Sequence, residues 1–233
     1  MSQKEPMFRH EMKYTISAAQ VPLLKSRITG IMKPDPHVGA DGIYNIRSLY
    51  FDDYHNRFYY ENENGTDPRK KYRIRIYNHS SERITLECKH KQRGKTLKES
   101  CPLTLEQTQM LMQGKAFAPQ QTDHPLLCQL LLEMRTHMLR PVVIVEYDRI
   151  PYIYKNGNVR VTFDINISSS SDVLRFLDDR IPKRPIMTAG HQLLEVKFDE
   201  YLPDFIYRNL NLGSLRQTAF SKYYLCRRLS LHK

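Results

Sequence analysis

The chain has no tryptophan, and it has only four cysteines and nine glycines in 233 residues. Cys88, Cys101, Cys128 and Cys226 are widely spaced and form no C-x-x-C pair, which fits a reducing compartment. The nine histidines show no H-x-x-x-H spacing and read as ordinary core or surface residues. Glycine-rich phosphate cradles are missing: there is no P-loop, no dinucleotide fingerprint, no nucleophile elbow and no Ser-His-Asp set. Long apolar runs are missing too. The longest, "PVVIVEY", is far below a membrane span, "CQLLLEM" suits a core helix, and the opening "MSQKEPMFRHEMKY" lacks the apolar centre of a signal peptide. These absences predict a cytoplasmic chain with no bilayer anchor. Any phosphate chemistry would fall to side chains rather than to backbone amides.

What the chain does have is cationic charge. Lys and Arg number 36 against 25 Asp and Glu, a formal net charge of +11, which favours a polyanionic partner. The length fits one domain over 1–233, large enough to bury a core without disulfides. Period-two patterns predict strands near 7–16, 44–51, 69–78, 82–91, 95–101, 141–154, 158–168 and 191–199. Helices are expected at 17–31 from an N-cap Ser17, at 104–114 between Thr104 and Gly114, at 124–138 and around 203–229. Turn signals lie in "NENGTDP", "NHSS" and "KNGN". No repeat or linker divides the chain.

The strands share one anomaly. Glu11 and Lys13, Arg73 and Arg75, Glu87 and Lys89, Arg160 with Thr162 and Asp164, and Glu195 and Lys197 each fall on one side of a pleat, with apolar residues on the other. Any one of these is an ordinary solvated sheet face. Five together place a charged face on one side of a whole sheet. A closed sheet would turn that face inward, into a space wide enough only for side chains or one small ligand. Several Arg and Lys there are costly unless an anion neutralises them, and the guanidinium fork suits phosphate oxygens. The interspersed carboxylates could orient the cations or hold a hard divalent ion against phosphate.

The ordered segments "FRHEMKYTI", "SLYFDD", "RKKYRIRIY", "TLECKHK", "EYDR", "VRVTFD", "LLEVKFD" and "FSKYYLCR" resemble the landmarks of a VTC domain, the polyphosphate polymerase branch of the triphosphate tunnel metalloenzymes (CYTH-like superfamily). They run from Phe8 to Arg227. The resemblance implies an α+β fold in which an eight-stranded antiparallel β-barrel, the triphosphate tunnel, carries packed helices. It implies phosphate contacts from Lys13, Arg73, Arg75, Lys89, Arg149 and Arg160, with Lys197 in the wall and Lys222 toward the incoming or growing chain. Lys91 is a further basic candidate beside Lys95. Glu195 is the leading metal ligand, with Glu11 and Glu87 as metal or orienting groups. Lys13, Arg73, Arg75, Lys89, Arg160, Glu195 and Lys222 form the expected catalytic set. Arg47 sits on the opposite pleat face from Ser48 and Tyr50 and stays outside it.

The function so implied is phosphoryl transfer from ATP to polyphosphate or pyrophosphate, dependent on Mn2+ or Mg2+. The same apparatus with water as acceptor is a triphosphatase, and without turnover it is a polyphosphate- or nucleotide-binding module. The lack of a dense aromatic and basic stacking motif argues against nucleic acid, although there are 15 tyrosines. Eukaryotic relatives carry an SPX domain and membrane helices for which this chain has no room, so a stand-alone enzyme is expected.

Overall fold

A computed structural model describes residues 9–231. The long strands are β1 (His10–Ser17), β3 (Tyr44–Asp52), β4 (Arg69–Tyr77), β5 (Ser80–Gln92), β6 (Lys95–Leu103), β7 (Arg140–Tyr154), β8 (Val159–Ser170) and β10 (His191–Phe198). Two-residue strands β2 (Lys33–Pro34) and β9 (Arg184–Pro185) pair with β7 and β8. All eight expected strands are present; Met7 and Phe8 of the first lie outside the described residues. The strands form one antiparallel sheet in the order β1-β10-β8-β7-β3-β4-β5-β6. It curls until its two edges meet: the Arg9 and Thr96 backbones bond reciprocally, N to O at 3.1 and 3.2 Å. This is the expected α+β tunnel architecture, joined at its seam by a single bridge among the described residues.

Period two decides which side is which. Tyr72, Ile74, Leu86 and Cys88 point outward and bury against Leu111 of α3 (Leu105–Met112) and Leu127, Leu130 and Leu131 of α4 (Pro125–Thr136). On the other flank Tyr14, Ile16, Val161, Phe163, Leu194 and Val196 bury against Leu24 and Ile28 of α1 (Gln20–Thr29) and Ile206 of α5 (Asp204–Asn209). Each charged residue of the alternating set therefore turns to the concave side. Two further helices, α2 (Arg57–Glu63) and α6 (Lys222–Leu231), stack Tyr59 on Tyr224 with ring centroids 5.0 Å apart. Tyr223 of α6 packs 5.1 Å from the inward-facing Tyr50 ring and donates its hydroxyl to Asp52, which places α6 across the concave side.

Helix starts follow local chemistry. Ser17 and Gln20 exchange backbone-to-side-chain bonds at 2.7 and 3.2 Å, so Ser17 caps the turn leading into α1 although the helix proper begins three residues later. Thr104 and Gln107 form a full capping box for α3. The "KNGN" turn holds Gly157 at φ 73°, and a Cβ there would lie 2.8 Å from the Tyr201 carbonyl oxygen, so only glycine fits.

The expected long helix over 203–229 is not continuous. α5 ends at Asn209, Asn211 adopts φ 52°, a left-handed conformation, and after a short 3-10 turn over Leu212–Ser214 the chain runs extended beside β1, where Thr218 N–H bonds the Lys13 carbonyl at 2.8 Å. Helix α2 was not expected; seven residues are too few to show a periodic stripe.

Arg47 lies on the outer face, fully buried, with Nε 2.6 Å from Glu146 and its other nitrogens on the carbonyls of Phe176, Asp178 and Asp179. It clamps the 171–185 segment to the sheet. Arg47→Ala leaves those carbonyls without their donor and removes the buried guanidinium partner of Glu146. The expected cost is about 3–5 kcal/mol, a fall of roughly 6–20 °C in a melting curve for a chain of this size. A shift under about 2 °C would show that Lys183 and His79, which also contact Glu146, suffice alone.

Candidate functional site

The concave face is lined by inward residues of all eight long strands plus the start of α6. On the β1 and β10 wall, Lys13 lies between two carboxylates, 2.8 Å from Glu11 and 3.8 Å from Glu195, and donates to the Phe220 carbonyl at 2.8 Å. Lys89 reaches from β5 across the seam to Glu11 at 2.8 Å. Lys197 and Arg149 approach Glu195 at 3.3 and 3.2 Å. Burial alone would raise the Glu11 carboxyl, but Lys89, Lys13 and Lys197 outweigh it and hold the group well below the usual carboxylate range. Lys89 pays the opposite way: its burial, with Lys13 and Lys197 nearby, overcomes Glu11 and pushes the ammonium down to about 8.

The β7 and β8 wall carries a fork. Arg149 Nε and Nη2 reach the two oxygens of Asp164 at 2.6 and 2.8 Å. Lys222, the first residue of α6, contacts the same carboxylate at 2.6 Å and sits 4.7 Å from the Tyr147 ring centroid. Asp164 is fully buried; against that burial Arg149 and Lys222 keep its acidity strongly increased. Arg160 stands apart, on Asp35 at 2.8 Å and the Tyr44 hydroxyl at 2.7 Å.

Opposite lies the β4 and β5 wall. Arg73 donates from Nε to Glu87 at 2.7 Å and from Nη1 to the Tyr50 hydroxyl at 2.8 Å. Arg75 donates to Ser48 Oγ at 3.1 Å and lies 3.6 Å from Glu87, whose other oxygen takes Lys98 at 3.0 Å. Burial works against ionisation of Glu87, yet Arg73, Arg75 and Lys98 depress its pKa far below normal. Lys71 continues the row. Its ammonium has only neutral acceptors, Asn62 Oδ1 at 2.6 Å and Ser221 Oγ at 3.3 Å, and burial with Arg69, Lys89 and Lys13 nearby lowers its pKa well below the ordinary value.

All twelve sequence-derived candidates lie on this face: Lys13, Arg73, Arg75, Lys89, Lys91, Arg149, Arg160, Lys197 and Lys222 with Glu11, Glu87 and Glu195. Lys91 has no carboxylate in ion-pair contact among the described residues. The sequence reading gave no role to Lys71, Lys98, Tyr50, Tyr147 or Asp164. The alternation did place Asp164 on the charged face, without a role; Lys71 obeys the same alternation and could have been found by it; Tyr50 and Tyr147 look apolar in a strand pattern. Thr162 Oγ1 is buried on this face without a hydrogen-bond partner.

Cations outnumber carboxylates here by a wide margin: Lys13, Lys71, Arg73, Arg75, Lys89, Lys91, Lys98, Arg149, Arg160, Lys197 and Lys222 face Glu11, Glu87, Asp164 and Glu195. An excess of this size in a low-dielectric groove attracts a polyanion. Among the described residues no three His, Cys, Asp or Glu side chains group as metal ligands. Glu11 and Glu195 nevertheless converge on Lys13, and Glu11 Oε1 lacks a well-aligned hydrogen bond. Two hard oxygen donors fit a divalent ion that completes its shell with phosphate and water. Both oxygens of Glu87 are engaged by cations, Arg73 and Lys98, as those of Glu11 are by Lys13 and Lys89, but among the described residues no second carboxylate converges with Glu87 on a shared cation.

The family model of the VTC domain matches residues 8–231. A comparison with curated proteins finds no match. Among solved structures, a candidate adenylate cyclase from Bacillus halodurans is 14% identical with a TM-score of 0.52, the alignment covering 91% of this chain and 95% of that one. A Pyrococcus horikoshii protein, PH1819, is 13% identical at a TM-score of 0.50, covering 96% and 99%. A candidate adenylyl cyclase from Hippeastrum, described as having a dominant triphosphatase activity, is 10% identical at 0.50, covering 95% of each chain. At these identities the likeness is one of fold.

Proposed function

Since the chain belongs to the VTC domain family, we propose that it is a polyphosphate polymerase that moves the terminal phosphoryl group of ATP onto the end of a polyphosphate chain. The observation that supports this most is the surplus of cations over carboxylates on the concave face. ATP phosphates lie against Arg73 and Arg75, whose forks bind non-bridging oxygens, and against Lys13, Lys89 and Arg149 on the facing walls. Arg160 and Lys197 extend that wall, Lys222 holds the incoming chain from α6, and Lys91 adds charge beyond Arg73. A divalent ion, Mn2+ or Mg2+, held by Glu11 and Glu195, supplies charge neutralisation on the phosphate oxygens when bound. Glu87 and Asp164 fix the directions of Arg73 and Arg149.

The bond between the β,γ-bridging oxygen and the γ-phosphorus breaks, the terminal oxygen of the chain bonds that phosphorus, and ADP leaves. The chain end is already ionised at neutral pH, so its attack needs no general base, and positioning with fixed positive charge carries the step. We assign the whole chain to one domain, because all the long strands join one sheet, and place it in the cytoplasm on its sequence character. No helix among the described residues is long and apolar enough to cross a membrane.

Purified protein incubated with ATP and Mn2+ or Mg2+ is expected to release ADP in step with polyphosphate resolved by length on a gel. Orthophosphate with no chains makes the protein a triphosphatase, the activity described for the Hippeastrum protein of like fold. Neither product, with polyphosphate still bound, leaves a binding module.

A further inference from the structure

Between β4 and β5, two cross-strand pairs on the concave side are like-charged. Arg69 stands directly opposite Lys91, and Lys71 directly opposite Lys89. Such pairs destabilise a sheet. Elsewhere on this face carboxylate partners hold the cations, as Glu87 holds Arg73 and Asp164 holds Arg149. Here the one carboxylate in ion-pair contact among the described residues is Glu11, on Lys89. Arg69 donates to the Thr66 carbonyl at 2.6 Å and Lys71 to Asn62 and Ser221, all neutral groups. The ammonium of Lys71 also lies 5.0 Å from the Tyr223 ring centroid, so α2, α6 and β4 all position it.

The place of this cluster matters. Arg69, Lys71, Arg73 and Arg75 share one side of β4, and the six residue rises from Arg69 to Arg75 span about 20 Å. An anion seated on Arg73 and Arg75 must continue past them to meet Lys71 and then Arg69. We infer that Arg69 and Lys71, with Lys91 opposite Arg69, form an anion subsite that makes affinity depend on phosphate chain length, engaged by a chain that runs beyond Arg73 and Lys89 and not by a lone triphosphate. This rests on the reading of the concave face as a phosphate site, and it adds a specificity-determining element to it.

Calorimetric titration of the full chain, without ATP, compares tripolyphosphate with a linear polyphosphate of defined length several phosphates longer. Wild type is expected to prefer the longer anion. The double variant Arg69→Ala/Lys71→Ala is expected to lose about tenfold in affinity for the longer anion and less than about twofold for tripolyphosphate. If the double variant does not fold, Arg69→Gln is the second test, because that side chain is half-buried and bonds only one carbonyl; a length-selective loss of about threefold is expected. Equal losses on both anions, or a length preference that survives substitution, overturns the inference while the phosphate site stands. A wild type that binds both anions equally overturns it as well. A wild type that binds neither overturns the proposed function and the inference together.

Discussion

Arg73→Ala and Arg75→Ala are each expected to lower kcat/KM for ATP by about 10³-fold, the scale of losing one preorganised donor to a developing phosphoryl charge. Neither substitution abandons a buried carboxylate. Glu87 keeps Lys98 at 3.0 Å in either variant, and it keeps one of the two arginines as well. The fold should therefore survive, and a melting curve within a few degrees of wild type is the control that separates lost chemistry from lost structure. Lysine at the same positions is the sharper test. It restores the charge but not the fork, and it cannot hold both Glu87 and Tyr50 as Arg73 does from separate nitrogens. A loss of about 10²-fold is expected for Arg73→Lys and Arg75→Lys. Lysine variants with wild-type kinetics would show that the row works as diffuse charge and not by bidentate recognition.

The strands were legible because their signal is local. Alternation in "RKKYRIRIY" assigns Arg73 and Arg75 to one face and Ile74 and Ile76 to the other without reference to any distant residue, and the buried isoleucines confirm the outward side. The C-terminal stretch misled for the converse reason. Its composition suits a helix from 203 to 229, but the extended segment after Asn211 exists because Thr218 bonds the backbone of Lys13, a partner two hundred residues away in sequence.

The same limit governs the site. Which residues face inward follows from period two; which of them meet does not. Lys89 finds Glu11 across the seam, and Arg149 finds Glu195 through two intervening strand pairings, separations of 78 and 46 residues that no local pattern encodes. Lys222 was expected on a helix and toward the incoming or growing chain, but its contact with Asp164 depends on α6 crossing the concave side. Lys71 was legible and passed over, since Arg73 and Arg75 drew the reading to themselves while the residue two positions earlier carried the same charge on the same face.

Glu195→Gln is expected to abolish metal-dependent turnover, by about 10³-fold or more, while leaving triphosphate binding in place. The carboxylate sits among Arg149, Lys197 and Lys13 at 3.2, 3.3 and 3.8 Å, so two roles compete for it: orienting those cations, or sharing a divalent ion with Glu11. The amide keeps the shape and a carbonyl acceptor for the cations but gives up the negative charge that a hard divalent ion needs. If orientation is the main role, turnover should fall modestly and the concentration of Mn2+ or Mg2+ giving half-maximal rate should stay put. If the metal is held there, that concentration should rise at least tenfold, and extra metal should restore part of the rate. Binding without metal moves the other way. Three cations lose their shared anion, so tripolyphosphate should bind as tightly as to wild type or more tightly, with a steeper dependence on salt. A variant that turns over normally at the wild-type metal requirement would remove Glu195 from the metal site and leave the cations as the working part of the tunnel.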